Sequence, residues 1–226
     1  MCGRINVSDH PGVQALLDFL DIPLYPSQFV PRFNIAPGAQ LFSAYANQQA
    51  FEGVTMHWGM IPSWAKPGKF NRPLTNARAE TIWEKPSFKN LVKTQRLIIP
   101  INGFYEWKRS NKTKIAYHIH GKEQPAIALG GIYQISKDGE LQCCVVTTTA
   151  NEKMSAVHDR MPVIIQPESI SDWLLSSDVS QLNSLMSPYS NQVISIDPVS
   201  SYVNNAQNEG PQCLEETETF TLKNDD

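Results

Sequence analysis

Residues 96–149, RLIIPINGFYEWKRSNKTKIAYHIHGKEQPAIALGGIYQISKDGELQCCVVTTT, decide the fold class of this chain. Several runs in this stretch are rich in Ile, Val, Thr and Tyr, which predicts strands at 96–101, 115–120, 126–134 and 140–149. Strand follows strand without an intervening helix. A mainly antiparallel sheet or a partly closed barrel is therefore favoured over a parallel, doubly wound sheet.

The flanking sequence adds further strands and a few short helices. Alternating or apolar runs predict strands at 40–46, 54–59, 162–166 and 192–197. Helical spacing predicts one helix through Val13, Leu16, Leu17 and Leu20, started by Ser8 or Asp9 with Pro11 in its first turn, and two more around Ile170–Leu174 and Leu182–Met186. We expect one α+β domain over residues 1–205, with a barrel-like β core and peripheral helices.

Two segments, 22–38 and 61–76, are interrupted by Pro and Gly and predict long loops. They carry residues suited to binding, namely Arg32, Trp64, Lys66, Lys69 and Arg72. Residues 206–226 are polar and acidic, which predicts a solvated C-terminal tail.

Composition limits the function and the location. The chain of 226 residues has a net charge of -3 and a pI near 6.0, so any nucleic-acid site must be a local basic patch. No stretch reaches the ~20 apolar residues of a membrane span, and the N-terminus lacks the core of a signal peptide, which predicts a cytoplasmic protein. The cysteines at 2, 143, 144 and 213 have no CxxC spacing, so we expect reduced thiols and no zinc ribbon.

Cys2 is the most distinctive candidate for chemistry. Removal of Met1 would leave an α-amine and a thiol on one residue, a 1,2-aminothiol, which converts an aldehyde first to an imine and then to a five-membered thiazolidine. Ordinary pKa values of about 8 for the amine and about 8.5 for the thiol need only modest tuning by a neighbouring carboxylate or imidazole. The alternative is that Cys2 is a small buried apolar residue, as most free cysteines are.

Three other motifs could assist Cys2, and each also has a structural interpretation. In Asn76-Ala77-Arg78-Ala79-Glu80, Arg78 could bind a phosphate and Asn76 a sugar oxygen, or the segment could be a surface turn with an Arg78–Glu80 ion pair. Glu106 lies among aromatic residues, which suits proton transfer, although hydrogen bonds could equally satisfy its carboxylate. His158, beside Asp159 and Arg160, suits proton shuttling, although a structural histidine is common.

His118 and His120, two residues apart on one strand, are a weak candidate for metal chelation, and we expect no metal or cofactor.

Six motifs of this sequence, which occur in the same order as in the SRAP family, closely resemble the motifs of that family. The name SRAP means SOS response-associated peptidase. The six motifs are Met1–Arg4, Arg32–Gly38, Trp58–Trp64, Asn76–Glu80, Gly103–Trp107 and His158–Pro162. The resemblance implies a barrel-like α+β domain that captures abasic sites in single-stranded DNA covalently and removes its own Met1.

Position by position, the resemblance implies Cys2 as the nucleophile, Asn76 and Glu106 as the active-site amide and acid, and His158 as the catalytic imidazole. It implies DNA-contacting or supporting positions at Arg4, Pro37, Trp64, Arg78 and Thr147. Pro86 and the run Pro198–Ser201 stand where relatives carry an arginine, which puts phosphate contacts there in doubt. We expect a monomer that acts on damaged DNA, with replication-fork proteins as candidate partners.

Two other functions stay open at this stage. One is a binding module for duplex DNA, and the other is a thiol peptidase that acts on other proteins. Against the peptidase, the chain has no G-x-S-x-G elbow and no familiar cysteine-peptidase signature.

Overall fold

Strands form most of the fold in the computed structural model, which describes residues 2–47, 50–65, 72–110 and 113–217. The strands in these residues are β1 (Ile5–Val7), β2 (Arg32–Ile35), β3 (Gln40–Asn47), β4 (Ala50–Trp58), β5 (Asn76–Arg78), β6 (Arg96–Ile101), β7 (Gly103–Ser110), β8 (Thr113–Gly121), β9 (Ile127–Ile135), β10 (Leu141–Thr149), β11 (Arg160–Pro162), β12 (Ile164–Ile165) and β13 (Ile194–Val199).

Five of these strands close into a barrel. The pairings run β10–β4–β3–β6–β9, and β9 pairs with β10 again through Val145 opposite Gly131. Gly131 is required at this crowded point, because an added Cβ would lie 2.6 Å from a methyl carbon of Leu97 and 2.9 Å from the Cys144 carbonyl. The predicted α+β class with a barrel-like β core is confirmed.

A second, antiparallel sheet has the order β13-β8-β7-β1-β2 and lies beside the barrel. Apolar residues of β1 and β7, including Ile5 and Phe104, join one apolar cluster with the barrel residues Leu97 and Val145. The adjacent barrel residues Ile98 and Cys144 belong to a different cluster, under the helices. Alternation along the strands therefore builds a core on both faces of the barrel wall.

The helices are short and peripheral, as predicted. They are α1 (His10–Leu17), α2 (Leu91–Thr94), α3 (Glu152–Ser155), α4 (Ile170–Leu175) and α5 (Val179–Leu185). The Asp9 side chain caps α1 by accepting from the Gly12 N–H, and Pro11 lies in the first turn. Every helix among the described residues is too short or too polar to span a bilayer.

Two sequence predictions need correction. Segment 22–38 is not one long loop, because it contains a 3-10 turn at Pro26–Gln28 and strand β2. The segment after residue 205, expected to be a solvated tail, packs on the domain as far as Thr217, with Cys213 fully buried. Lys66 and Lys69 of the second predicted loop, and residues 218–226 of the tail, lie outside the described residues.

Candidate functional site

Strands β1 and β7 bring Cys2 next to Glu106. The two strands pair antiparallel, with Ile5 opposite Phe104, and the Tyr105 N–H donates to the Arg4 carbonyl at 2.9 Å. This pairing carries the N-terminus along β7 towards Glu106. Cys2 is fully buried and Glu106 is 4% exposed, so both reactive groups lie in a site with little access for bulk water.

The Cys2 thiol has a raised pKa, which corrects our expectation that neighbouring groups favour the thiolate. Burial is the main cause, because it disfavours the charged form, and the carboxylate of Glu106 adds to the effect. The N-terminal ammonium and, less strongly, the backbone N–H of Arg4 oppose the shift. In the chain that carries Met1, the net effect favours the protonated thiol.

His158 faces the same carboxylate. Its Nε2 lies 4.0 Å from Glu106 Oε2, while its Nδ1 accepts the Arg160 backbone N–H at 3.0 Å and lies 2.9 Å from Asp159 Oδ1. The N–H of Arg160 suits the neutral ring and the Asp159 carboxylate suits the imidazolium. Nδ1 therefore lies within reach of a donor and an acceptor, and Nε2 faces Glu106.

Asn76 and Arg78 lie on β5, a strand that the sequence did not predict. It pairs in parallel with β10, with Arg78 beside Thr147, and Ala77 points into the core. Asn76 and Arg78 therefore share the opposite face of this strand. Asn76 Nδ2 donates to Thr75 Oγ1 at 3.2 Å, and its buried Oδ1 accepts no hydrogen bond from the described residues.

Arg160 connects the strand that carries Asn76 to the segment that carries His158. Its guanidinium binds both carboxylate oxygens of Glu80 and donates to the Thr147 carbonyl at 2.8 Å. The suggested Arg78–Glu80 ion pair is therefore wrong, since Glu80 pairs with Arg160, whose hydrogen bond lowers the pKa of that carboxyl. Thr147 has no exposed surface and occupies a supporting position.

Of the other positions named from the sequence, Pro37 and Trp64 are exposed, and Arg4 contacts Cys2 through its backbone but not through its guanidinium. Pro37 lies in an exposed turn closed by the Ala39 N–H and the Ala36 carbonyl, with Gly38 at φ 94°. Trp64 is 59% exposed, and its indole N–H donates to Ser87 Oγ at 3.2 Å. The Arg4 guanidinium donates to Asn34 Oδ1 at 2.6 Å and to the Val203 carbonyl at 2.9 Å.

A basic surface begins at Arg78, although the chain as a whole is acidic. Arg78 is exposed and has no ion-pair partner among the described residues. Turns that follow it present the exposed side chains of Lys85, Lys89 and Lys93 on one face at i, i+4 spacing. Ser87, the partner of Trp64, lies in the same segment. These exposed cations are candidates for the local basic patch that a nucleic-acid site would need.

The histidine pair of β8 gives no support for a metal site. His118 and His120 stack with ring centroids 5.0 Å apart, and His120 Nε2 binds Asp197 at 2.6 Å. Among the described residues no group of three His, Cys, Asp or Glu side chains could hold a metal ion.

The comparison with known families is decisive. The model of the family described as SOS response associated peptidase (SRAP) matches residues 1–206. The chain belongs to the SRAP family. The match covers the segments that carry Cys2, Asn76, Glu106 and His158.

The names of similar proteins agree with this assignment, and a solved structure shares the fold. The chain is similar to the abasic site processing protein YoqW of Bacillus subtilis, with 36% identity over 95% of this chain and 99% of the relative. It is also similar to the abasic site processing protein HMCES of Xenopus tropicalis, with 31% identity over 71% of this chain and 56% of that protein. A crystal structure of a Bacteroides thetaiotaomicron protein shares the fold, with a TM-score of 0.82, 22% identity and coverage of 96% and 100%.

Sequence reasoning missed two sets of residues around the site. Glu80 was assigned to the wrong arginine and Arg160 was given no partner, although the two residues pair across 80 positions of the chain. Asn34 stands in the motif Arg32–Gly38 but was given no role, although its side chain binds Arg4. An asparagine in a short Pro-flanked segment was the only signal in that motif, and it does not reveal the partners of the side chain.

Proposed function

We propose that this SRAP protein captures abasic sites in single-stranded DNA covalently through Cys2, after removal of Met1. The observation that carries the proposal is the convergence of a buried thiol, a buried carboxylate and an imidazole at the chain's second residue. An α-amine released there would lie beside Glu106 and His158. The names of the relatives YoqW and HMCES, which refer to abasic site processing, support the same substrate.

The reaction joins the two nucleophiles of Cys2 to one aldehyde carbon. His158 assists the opening of the abasic deoxyribose to its aldehyde. The Cys2 amine adds to the carbonyl and water leaves, which gives an imine, while Glu106 accepts a proton from the amine. The thiol then adds across the imine, with its sulfur bonding to carbon and its proton passing to nitrogen, so the product is the two reactants less one water.

The surrounding residues hold the DNA. The Oδ1 of Asn76 is an acceptor without a hydrogen bond from the described residues, and it suits a hydroxyl of the opened sugar. Arg78 binds a phosphate, and the exposed indole of Trp64 offers a stacking surface for an unpaired base, with Pro37 as a second wedge. Single-stranded DNA fits best, because its bases and sugars need no extraction from a stack.

Two further activities belong to the proposal. Hydrolysis of the Met1–Cys2 peptide bond by the protein itself would supply the free amine. Strand cleavage by β-elimination from the imine would be a weak side reaction, suppressed by ring closure. We propose that the protein works in the cytoplasm at damaged DNA of the nucleoid, alone or beside replication proteins.

The direct test is the intact mass of the protein after mixing with a single-stranded oligonucleotide that contains one abasic site. The expected product has the mass of the chain without Met1 plus the DNA less one water, and it is absent with undamaged DNA. Cys2→Ala should give only an imine, visible after borohydride reduction. Cys144→Ala, which removes another buried thiol, is the matched control and should react like the wild type.

A second outcome would favour the peptidase. If processed wild-type protein forms no adduct but turns over a panel of peptides in a Cys2-dependent manner, the abasic-site proposal is refuted. A duplex-binding module would instead bind DNA equally well with Cys2→Ala and form no covalent product at all.

A further inference from the structure

The segment Ser201–Thr217, here named the C-terminal strap, packs across the back of the strands that carry the site. It contains 3-10 turns at Ser201–Asn204 and Pro211–Leu214. Its buried residues Val203 and Cys213 contact a cluster with Tyr105 of β7. Tyr105 lies on the face of β7 opposite to Glu106, so the strap and the reactive groups occupy the two sides of one strand.

One buried amide ties the strap to Arg4. Asn34, which is 1% exposed, shares its Nδ2 hydrogens among the carbonyls of Val203, Asn205 and Asn208, at 3.3, 2.9 and 2.9 Å. Its Oδ1 accepts from the Arg4 guanidinium at 2.6 Å. A single side chain thus joins three points of the strap to the second residue after Cys2.

Two other contacts fix the strap at its edges. Glu209 accepts from the Arg32 side chain at 2.8 Å and from the Phe33 N–H at 2.7 Å. Trp107 Nε1 donates to Asn204 Oδ1 at 2.6 Å. Strands β2 and β7, on either side of β1, are therefore both bonded to the strap.

Arg4 transmits these contacts to the nucleophile. Its guanidinium donates to the strap carbonyl of Val203 at 2.9 Å and lies 5.5 Å from the ring centroid of Trp107. Its backbone N–H donates to the Cys2 sulfur, and its carbonyl accepts from Tyr105. No carboxylate among the described residues pairs with this guanidinium. The Val203 carbonyl of the strap, the side-chain amide of Asn34 and the ring of Trp107 therefore surround the guanidinium.

We propose that the C-terminal strap is a positioning element for Cys2, acting through Asn34 and Arg4, and that Glu209 anchors it. Arg4 is then a positioning residue whose side chain binds the strap and not DNA. The proposal rests on the covalent function proposed above. It extends the working unit beyond residue 206, where the match to the SRAP model ends, because Glu209 and Cys213 lie after that point.

The test measures single-turnover adduct formation over a range of abasic oligonucleotide concentrations, which gives a maximal rate and a half-saturating concentration. Asn34→Asp keeps the acceptor for Arg4 but places a carboxylate oxygen against three carbonyls, so it should release the strap. Glu209→Gln is a milder variant that removes one charged anchor. Glu215→Gln, an exposed strap residue with no side-chain partner among the described residues, is the charge-matched control.

We expect Asn34→Asp to lower the maximal rate at least ~10-fold, since small displacements of a reacting group have large effects, with the half-saturating concentration within about twofold of wild type. Because the Arg4 N–H would no longer hold the Cys2 sulfur, the midpoint of the rate against pH should move upward. Glu209→Gln should lower the maximal rate and raise the pH midpoint by smaller amounts, and Glu215→Gln should leave the maximal rate and the pH midpoint unchanged.

Each variant is assayed well below its own unfolding temperature, so a purely structural role would leave the rate of the folded protein unchanged. That result would overturn the proposal, and so would a rise in half-saturating concentration alone, which would make Arg4 a DNA contact. If Asn34→Asp does not fold, Glu209→Gln carries the same test. Failure of the wild type to form any adduct would instead refute the proposed function.

Discussion

Replacement of Arg78 by alanine should weaken binding to DNA by an amount that depends on salt. Arg78 is exposed on β5, on the face shared with Asn76, and it has no ion-pair partner among the described residues. If it binds one phosphate, its loss should lower the slope of log K against log salt by about 0.7 for a single strand. A fourfold rise in salt, from about 50 to about 200 mM, should then shrink the affinity ratio of wild type to variant about 2.6-fold.

Fluorescence anisotropy with an oligonucleotide that carries a tetrahydrofuran abasic analogue isolates this effect, because the analogue has no aldehyde and cannot react. Lys137→Ala is the control. It removes an exposed positive charge in the turn before β10, and the six steps along β10 from Leu141 to Thr147 place it ~20 Å or more from the pairing partner of Arg78. Equal salt slopes for wild type and Arg78→Ala would refute a phosphate contact at Arg78.

Three further predictions concern the reaction and the fold. Glu106→Gln should slow adduct formation about 100-fold or more, while binding to the tetrahydrofuran oligonucleotide stays unchanged, since a group that moves a proton acts on the rate; equal loss of binding would contradict this. Trp173→Ala should lower the free energy of unfolding by about 3–5 kcal/mol, because the ring is fully buried and its N–H donates to the Leu97 carbonyl. Trp64 is exposed, so Trp64→Ala should lower it by less than about 1 kcal/mol in the same urea titration. Burial lowers the pKa of His118 from 6.5 to about 3, so the folded protein keeps this ring neutral while the unfolded chain protonates it. The free energy of unfolding should therefore be highest above about pH 6.5 and should fall as the pH decreases towards 3. Urea unfolding at about pH 5 should show a decrease of roughly 2 kcal/mol, and His118→Gln should abolish that decrease.

The barrel strands could be predicted from the sequence because they are long and strongly apolar. Strand β6 is buried at every position, and β9 is buried along most of its length. The strands that hold the site are different. Strand β5 has three residues, and β2 lies between Pro31 and Pro37, so neither has a pattern long enough to separate it from a loop.

The motifs named the candidate site residues but did not give the contacts between them. Glu80 has a closer arginine in sequence, Arg78, and local spacing therefore favoured the wrong ion pair. The true partner, Arg160, lies 80 residues away and becomes adjacent only when β5 and β11 both lie beside β10. Pairings of this kind depend on strand order, which no single-sequence pattern contains.

The C-terminal strap shows the same limit in another form. Its composition is polar and acidic, which favoured a solvated tail. Its attachment depends on backbone carbonyls that bind Asn34, and composition carries no information on carbonyl positions. The weaker apolar signal of Val203, Cys213 and Leu214 was present and corresponds to the residues that pack against Tyr105 and Trp107.

The protonation state of Cys2 also separates the two chemistries considered for this site. A thiol peptidase needs a thiolate before substrate arrives, and such sites lower the pKa of the cysteine with positive groups or a helix N-terminus. Here, with Met1 in place, burial and the Glu106 carboxylate raise the pKa of the thiol more than the N-terminal ammonium and the Arg4 N–H lower it. A protonated thiol is a poor first nucleophile, but it suits the second step of an aldehyde capture, in which the sulfur bonds to carbon while its proton moves to nitrogen. The order of steps follows from this, with amine before thiol, so borohydride should trap an imine from wild-type protein at early times and progressively less of it as the ring closes.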